Sequence, residues 1–240
     1  MLCQSIINLK FLGMKNIKLL FTALVVASLL AATNLSAQEE ESGPAFSTGA
    51  DIVSNYIWRG TKLAVGPAIQ PSVSFTAGNF EIGAWGSFGF TSVEGAESDL
   101  YLSYSLPFGL SLGLTDYYFP GSMYFDFSDT TGSHALEINL GFSAGGFSLS
   151  ANYIPNEAGS AGSAGGDMYF EAGYDFSIFN LFIGAGDGWH TSDGEFGLCN
   201  VGIGTSKEIK ITDDFSVPVS GTIILNPEQE QFYVVVGFSL

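Results

Sequence analysis

Apolar and polar residues alternate along most of the chain beyond about residue 45. In the clearest segment, 80–90, one parity holds Phe80, Ile82 and Phe88, whereas the other holds Glu81 and Trp85. A period of two places each set on its own face of a β-strand. The segment therefore predicts a strand with one continuous apolar face.

Segments of this kind recur to residue 240. Strong alternation covers 80–90, 99–106, 110–115, 136–143, 168–176, 215–225 and 232–240, and weaker alternation covers 46–57, 67–77, 147–154, 179–187 and 197–207. Tight connections follow every second segment and longer ones follow the others, as in outer-membrane barrels. We therefore predict an all-β fold: a closed antiparallel transmembrane β-barrel of about 12 strands, with short periplasmic turns and longer outer loops.

Two connections have an unexpected length, and a third loop bears on passage through the barrel. The connection near 207–214 is too long for a minimal turn, and the one at 226–230 is short for an outer loop. The long loop at 120–133 is expected to fold over the mouth of the barrel, where it would restrict passage.

The first 37 residues have the order of an export signal. Lys15 and Lys18 precede an apolar run over 19–32, and small residues lead to position 37. The run is too short for a transmembrane helix and is typical of a secretory signal peptide. We predict a signal peptide at 1–37, a polar spacer at 38–44 and the barrel at 45–240. Met14 would open a more typical signal than Met1, so residues 1–13 are interpreted as a start-site artefact.

Export would leave a strongly acidic chain. Beyond residue 37, four basic residues stand against 24 acidic ones, and they are Arg59, Lys62, Lys207 and Lys210. Such a surface repels phosphate, so nucleic acid is not an expected partner. An enclosed acidic space favours cations. Cys199 is the one cysteine beyond residue 37, which excludes an internal disulfide there.

The last segment presents one apolar face up to Leu240. In water such a strand would be an aggregation-prone edge, whereas in a closed barrel it pairs with the first strand and faces lipid. It resembles the terminal signal read by the barrel-assembly machinery, although Leu240 replaces the usual phenylalanine. Outer-membrane lipid and the barrel-assembly machinery are therefore expected partners.

Aromatic residues lie near both ends of the predicted strands. Phe75, Phe80, Phe142, Phe147, Phe176 and Phe179 flank tight turns, and Tyr56, Trp58, Tyr117, Tyr118, Phe119, Tyr153 and Trp189 lie toward the long loops. Two such bands predict girdles at the two membrane interfaces. The alternative, a soluble β-sandwich, would concentrate its aromatic residues in the middle of the strands.

The stretch Ser54-Asn55-Tyr56-Ile57-Trp58-Arg59-Gly60 closes the first predicted strand. Together with 66–70 and Trp85-Gly86, it resembles the opening of the TorF-type porin family, in which a Ser-x-Tyr-x-x-Arg-Gly strand follows the signal peptide. The resemblance implies an outer-membrane barrel and a channel, and it supplies no catalytic residues. The serine-rich loop at 158–166 is particular to this chain.

The parity opposite the apolar face predicts the residues that line the lumen. They are Asp51, Asn55, Arg59, Glu81, Trp85, Asp99, Glu137, Asn139, Glu171 and Asp175. Charges enclosed by apolar walls need partners, so Arg59 is expected to pair with one of these acids or to anchor the first loop. Binding of an anionic substrate by Arg59 is the alternative. Both an open and a filled lumen are compatible with about 12 strands.

Catalysis and metal binding have weak support. Some outer-membrane barrels hydrolyse lipid with Ser and His on the lipid-facing side, and His134 has the lipid-facing parity. Two positions further on, however, Leu136 is not a nucleophile. His190 lies in an acidic loop at 187–195 that lacks the ligand offsets of known calcium loops. We expect no catalytic residue, no metal site and no cofactor.

The leading hypothesis is an outer-membrane porin-like protein that allows passive diffusion of small solutes. Its acidic lumen would favour cations or neutral molecules. The alternative is a non-conducting surface module that binds partners through its outer loops. A lipid-modifying enzyme is a third hypothesis.

Overall fold

The computed structural model describes residues 43–92, 95–213 and 215–240. In chain order its strands are β1 (Ala45–Val53), β2 (Ile57–Trp58), β3 (Thr61–Lys62), β4 (Ala68–Ala77), β5 (Phe80–Gly89), β6 (Glu97–Ser105), β7 (Leu110–Tyr118), β8 (His134–Ala144), β9 (Phe147–Ile154), β10 (Glu157–Ala158), β11 (Ser163–Ala164), β12 (Asp167–Asp175), β13 (Asn180–Gly186), β14 (Gly197–Lys210), β15 (Ser216–Asn226) and β16 (Gln231–Ser239). The predicted signal peptide, 1–37, lies outside the described residues, as does most of the predicted spacer at 38–44.

The described residues form one closed barrel of 12 antiparallel strands. Around the barrel the order is β1-β16-β15-β14-β13-β12-β9-β8-β7-β6-β5-β4. It closes where β1 pairs with β16, with Asp51 opposite Ser239 and Val53 opposite Gly237. The predicted closed antiparallel β-barrel is confirmed. The remaining strands form two small hairpins, β2–β3 and β10–β11.

Burial alternates along the barrel strands as the sequence pattern does. In β6, Glu97 and Asp99 are buried, whereas Leu100 and Leu102 are exposed. The exposed parity carries large apolar side chains around the whole barrel, among them Val73, Ile82, Phe88, Leu112, Leu114, Ile138, Leu181, Ile183, Leu198, Ile203, Ile223, Leu225, Phe232, Val234 and Val236. Because alternate strand residues point to opposite faces, the other parity faces the interior.

The two ends of the barrel differ in their connections. Short turns at 78–79, 106–109, 145–146, 176–179 and 211–215 lie at one end, and longer loops such as 54–67, 119–133 and 187–196 lie at the other. The connection near 207–214, which looked too long from the sequence, is a short turn because β14 continues to Lys210. Within it, the amides of Ile211 and Thr212 donate to the carbonyl of Phe215.

One of the two predicted aromatic bands is present, and the other is present in part. At the short-turn end, exposed rings contact half-buried ones, as in the pairs Phe46–Phe75 and Phe176–Phe179 with ring centroids 4.8 and 4.7 Å apart. At the long-loop end the prediction holds for Tyr118 and Tyr153, which lie on the outward faces of β7 and β9 opposite His134 and Ile138, and it is wrong for the others. Tyr56, Trp58, Tyr117 and Trp189 are buried or half-buried and contact residues of the interior, because Tyr117 has the inward parity of β7 and the loops that carry the other three turn inward.

Loop 120–133 departs from its prediction in its first half. Its residues Tyr124 and Phe127 pack on His134, which lies on the outward parity of β8 with Tyr118 stacked beside it. A carboxylate oxygen of Asp116, which has the outward parity of β7, lies 2.9 Å from Nδ1 of His134. The part of the loop around Tyr124 and Phe127 therefore lies against the outside of the barrel wall, whereas 129–132 hydrogen bonds with residues 159–161 of the neighbouring loop.

Candidate functional site

The candidate site is the interior of the barrel at its long-loop end, which the β2–β3 hairpin enters. Its turn is centred on Arg59 and Gly60, with φ of 48° and 83°, so both central residues are left-handed as in a type I′ turn. A Cβ at Gly60 would lie 1.9 Å from the carbonyl oxygen of Cys199 on β14. The Asn226 amide on β15 donates to the Gly60 carbonyl at 3.1 Å. Glycine at 60 therefore lets the hairpin dock on the wall.

From this turn Arg59 reaches Glu137 on β8, which lies across the barrel from β1. Its two terminal nitrogens lie 2.5 and 2.8 Å from the two carboxylate oxygens, a bidentate geometry that strengthens a charged hydrogen bond. The guanidinium carbon also lies 4.5 Å from the ring centre of Trp58 and 4.4 Å from that of Tyr169. Both contacts are of the cation–π type. Arg59 is therefore fixed inside the barrel between opposite walls.

Neutral partners satisfy the rest of the Glu137 carboxylate, which is fully buried. The Tyr117 hydroxyl donates to it at 3.0 Å and the Asn139 amide at 2.6 Å. Asn139 extends the network because its carbonyl accepts from Thr115 at 2.9 Å and its amide donates to Asn152 at 3.0 Å. Buried polar networks stabilise a fold when every member has a partner, and this one links β7, β8 and β9.

A second polar group lies beside the first, on β12 and β14. The Tyr169 hydroxyl donates to Glu171, and the Asn200 amide lies 2.9 Å from Glu171 and 3.0 Å from the Tyr169 hydroxyl. A Cβ at Gly184 would come within 2.1 Å of that hydroxyl. The Tyr169 ring therefore occupies space that the neighbouring strand leaves free.

A third group contains two buried acids on the inner face of β6. Glu97 and Asp99 are 1% and 6% exposed, and the Glu97 carboxyl hydrogen bonds with Asp99 and with Tyr56. Among the described residues, Glu97 Oε2 and Asp99 Oδ1 have no hydrogen-bond partner. Burial raises the pKa of the Tyr56 hydroxyl far above its usual value, and the neighbouring charges of Glu97 and Asp99 raise it further.

An aromatic cluster fills the space between the hairpin and the wall. The Trp58 ring lies 5.5 Å from Tyr117 and 5.3 Å from Trp189, and Tyr117 and Trp189 lie 5.6 Å apart. The cluster packs on the small buried side chains Ala135 and Ala161. Edge-to-face contacts of this kind add to the stabilisation from burial.

His190 adjoins the cluster in a short 3₁₀ turn, Gly188–His190. Its ring lies 5.1 Å from both Trp58 and Tyr169, and it is almost fully buried. In the part of the chain that the structure describes, neither ring nitrogen has a hydrogen-bond partner. Burial, and secondarily the charge of Arg59, lowers the pKa of His190 to about 2. The ring is therefore neutral at physiological pH.

No group of three or more His, Cys, Asp or Glu side chains among the described residues is arranged to hold a metal ion. No helix formed by these residues is long and apolar enough to cross a membrane.

The family assignment follows from the sequence. Residues 37–212 match the family described as "Bacterial protein of unknown function (Gcw_chp)". The chain belongs to this Gcw_chp family. The match includes the Arg59-Gly60 turn and the strands from β1 to β14, so it covers all three polar groups. The resemblance to the TorF-type porins stays a prediction.

Two solved structures are similar to the Gcw_chp chain in outline. One is a triple mutant of the Rh. blastica porin, with 12% identity and a TM-score of 0.39, which covers 72% of this chain and 55% of the porin. The chain thus spans about half the length of that porin. The other is the outer membrane phospholipase A from Escherichia coli, with 11% identity and a TM-score of 0.38, which covers 87% of this chain and 93% of the phospholipase. No curated protein matches the chain in sequence.

Six of the ten residues predicted to line the lumen lie together at the long-loop end of this Gcw_chp barrel. They are Arg59, Trp85, Asp99, Glu137, Asn139 and Glu171. Arg59 does pair with one of the acids assigned to its face. Trp85 lies 5.5 Å from Tyr56, beside the two buried acids.

The other four lie elsewhere. Asp51 is at the β1–β16 seam, where it accepts a 2.6 Å hydrogen bond. Asp175 caps the turn at 176–179 through a 2.8 Å hydrogen bond. Glu81 is half-buried near the short-turn end of β5, and Asn55 is half-buried just after β1.

Sequence analysis missed several members of the site. They are Glu97, Tyr117, Asn152, Tyr169, His190 and Asn200. All but His190 follow the inner parity of their strands, so extending the alternation within each strand finds them, for example from Glu171 to Tyr169 and from Asp99 to Glu97. His190 lies in a turn, where no period assigns a side chain to a face.

Proposed function

We propose that the protein is an outer-membrane barrel that lets small solutes, cationic or neutral, diffuse passively through its lumen. The observation that carries this proposal is the combination of an apolar belt around a closed barrel with an acidic, hydrogen-bonded interior. A soluble barrel that exposed such a belt to water would aggregate, whereas a bilayer would cover it.

Strand dimensions support placement in a membrane. Most of the wall strands contain 9 to 11 residues, and a tilted transmembrane strand needs about 9–11. The exposed aromatic residues at the short-turn end would lie in one interface. By analogy with outer-membrane barrels, the short turns would face the periplasm and the long loops the exterior.

Charge supports the preference for cations. Arg59 is neutralised by Glu137, and Glu97, Asp99, Glu171 and Glu81 add acidic groups to the interior. A low-dielectric wall around them would concentrate cations and exclude anions. Because Arg59 and the aromatic cluster occupy the long-loop end, we expect conductance to be small.

Single-channel recording in planar bilayers tests the proposal. We expect small, cation-selective currents, seen as a shifted reversal potential in a salt gradient. Glu171→Gln should reduce the shift, whereas Glu208→Gln, on an exposed strand end, should leave it unchanged. Anion selectivity, or no current from protein that shows heat-modifiable migration on gels, would reject the proposal.

One observation favours the alternative, a non-conducting surface module. The hairpin, Arg59 and the aromatic cluster span the interior from β1 to β8, as in small barrels filled with side chains. This alternative would be favoured by a wild-type barrel that conducts no current and whose outer loops resist cleavage by protease.

A catalytic role is not proposed. Both ring nitrogens of His134 are engaged, one by Asp116 and the other by the carbonyl of Tyr124, so neither is free to take a proton from a nucleophile. We expect no lipid hydrolysis by the purified protein. Turnover that disappeared in His134→Ala would contradict this expectation.

A further inference from the structure

A cavity of about 260 Å³ opens beside the aromatic cluster at the long-loop end. Trp58, Tyr117 and Trp189 form its walls, Glu97 lies at its surface, and residues 159–162, between β10 and β11, border it. The three rings stand at 66°, 71° and 81° to one another. The three ring planes are therefore roughly perpendicular to one another.

Glu97 makes this cavity unusual. Its side chain is 1% exposed, and its Oε2 atom has no hydrogen-bond partner among the described residues. Asp99, two residues along the same face, leaves its Oδ1 atom equally unpaired within the described structure. Glu97 hydrogen bonds with Asp99 and with Tyr56, but a buried carboxylate oxygen that is left without a partner still costs free energy. A positive ligand with an N–H group would supply the missing partner.

The neighbouring Arg59 side chain does not serve that purpose. Arg59 is committed to Glu137 by two hydrogen bonds, and its guanidinium lies over the Trp58 ring and the Tyr169 ring. It therefore supports the Trp58 wall without neutralising Glu97.

We propose that this cavity binds a small organic ammonium ion. The rings would attract the cation through their π faces, and Glu97 Oε2 would accept a charge-assisted hydrogen bond from an N–H group. At 260 Å³ the cavity is smaller than the roughly 300–1,000 Å³ of sites for drug-sized ligands, so the ligand is small. A metal ion fits the walls less well, because aromatic rings supply no oxygen ligands.

This inference goes beyond the proposed function, because binding requires the folded barrel but not conduction. Isothermal titration calorimetry on protein refolded in detergent therefore tests it separately. Three probes divide the contributions: propylammonium has a charge and N–H donors, tetramethylammonium has a charge without N–H, and propanol has a donor without charge. We expect affinity to fall in that order, with about tenfold or more between propylammonium and propanol.

Variants assign the binding to the cavity. Glu97→Gln should weaken propylammonium binding by about tenfold or more, since it keeps the shape and removes the charge. Trp189→Leu should weaken tetramethylammonium binding, since it removes a ring. Glu208→Gln, on the exposed end of β14, should bind as wild type. Heat-modifiable migration on gels checks that each variant is folded.

Several results would overturn the inference. One is equal affinity for propylammonium and propanol, and another is unchanged binding by both Glu97→Gln and Trp189→Leu. Displacement of the ammonium probes by magnesium at matched concentration would identify a metal site instead. If Glu97→Gln does not fold, Trp189→Leu and the probe series still decide the question.

Discussion

The guanidinium of Arg59 and the carboxylate of Glu137, 78 residues apart in the chain, form a bidentate ion pair inside the barrel. The first comes from a hairpin that follows β1, and the second from the wall on the opposite side. The Glu137 side chain is fully enclosed, and that of Arg59 is 14% exposed. The pair therefore ties the first loop to the far wall.

Breaking this pair from one side should be costly. Arg59→Met leaves the Glu137 carboxylate buried without its cation, which should lower the free energy of unfolding by about 3–5 kcal/mol. The double variant Arg59→Met, Glu137→Met should lose less than the sum of the two single variants. Urea unfolding of the barrel in lipid vesicles measures each value. Lys210→Met, which breaks the exposed pair with Asp213, is the control and should cause little change; additive losses would contradict the prediction.

Glycine 184 should be intolerant of even a methyl group. Gly184→Ala would place a carbon about 2.1 Å from the Tyr169 hydroxyl, so the ring must move and its bond to Glu171 must weaken. We expect a loss of about 1–3 kcal/mol in the free energy of unfolding. The matched control is Gly221→Ala on the outward face of β15, where no described atom lies within 4 Å of the added carbon. Equal stability of the two variants would show that Tyr169 is not confined as described.

Substitution of Asp116 on the outer wall should release loop 119–133 from its contact with His134. Asp116→Asn removes the charge that holds His134, and His134 in turn holds the carbonyl of Tyr124. We expect chymotrypsin to cleave at Phe125, an exposed residue, roughly tenfold faster, as for the loss of a hydrogen bond to a charged group. Asp129→Asn should leave the rate unchanged, because the Asp129 side chain is exposed and its backbone makes the loop contact.

Buried His190 should make the barrel less stable in mild acid. Burial lowers its folded-state pKa to about 2, whereas the unfolded chain has a value near 6.5. Unfolding therefore takes up a proton below about pH 6.5, and stability falls by about 1.4 kcal/mol for each pH unit below that value. The contribution is fully present above pH 6.5 and is lost as pH falls.

The pH dependence is measured by urea unfolding of wild type and His190→Leu between about pH 7 and 4. The variant should lose less stability on acidification, because it has no ring to protonate. Parallel curves for the two proteins would mean that His190 is not buried as a neutral group.

The wall of the barrel could be predicted from the sequence for a physical reason. Each wall residue has one of two environments, and a period of two reveals which residues share a face, as in the run from Phe80 to Phe88. The turn after β14 was harder to place, since the segment 204–210 alternates weakly and its apolar residue Ile209 is isolated among polar neighbours.

The interior could be predicted only in part. Parity indicated that Arg59 and Glu137 face inward, but pairing depends on how a loop crosses the barrel, and alternation says nothing about loops. Because alternation says nothing about loops, it also led to the wrong prediction that Trp58 and Trp189 lie at a membrane interface. An aromatic ring in a loop can be buried inside or outside a barrel, and only the folded loop decides between them.

Asp116 and His134 together hold the loop residue Tyr124 against the outer wall. Because Tyr124 and Phe127 pack on His134 outside the wall, the outer surface of β7 and β8 carries additional aromatic side chains. The outer face of the barrel therefore offers a neighbouring molecule two kinds of surface, an aromatic one over β7 and β8 and an aliphatic one over β13 and β14, where Leu181, Ile183, Leu198 and Ile203 are exposed.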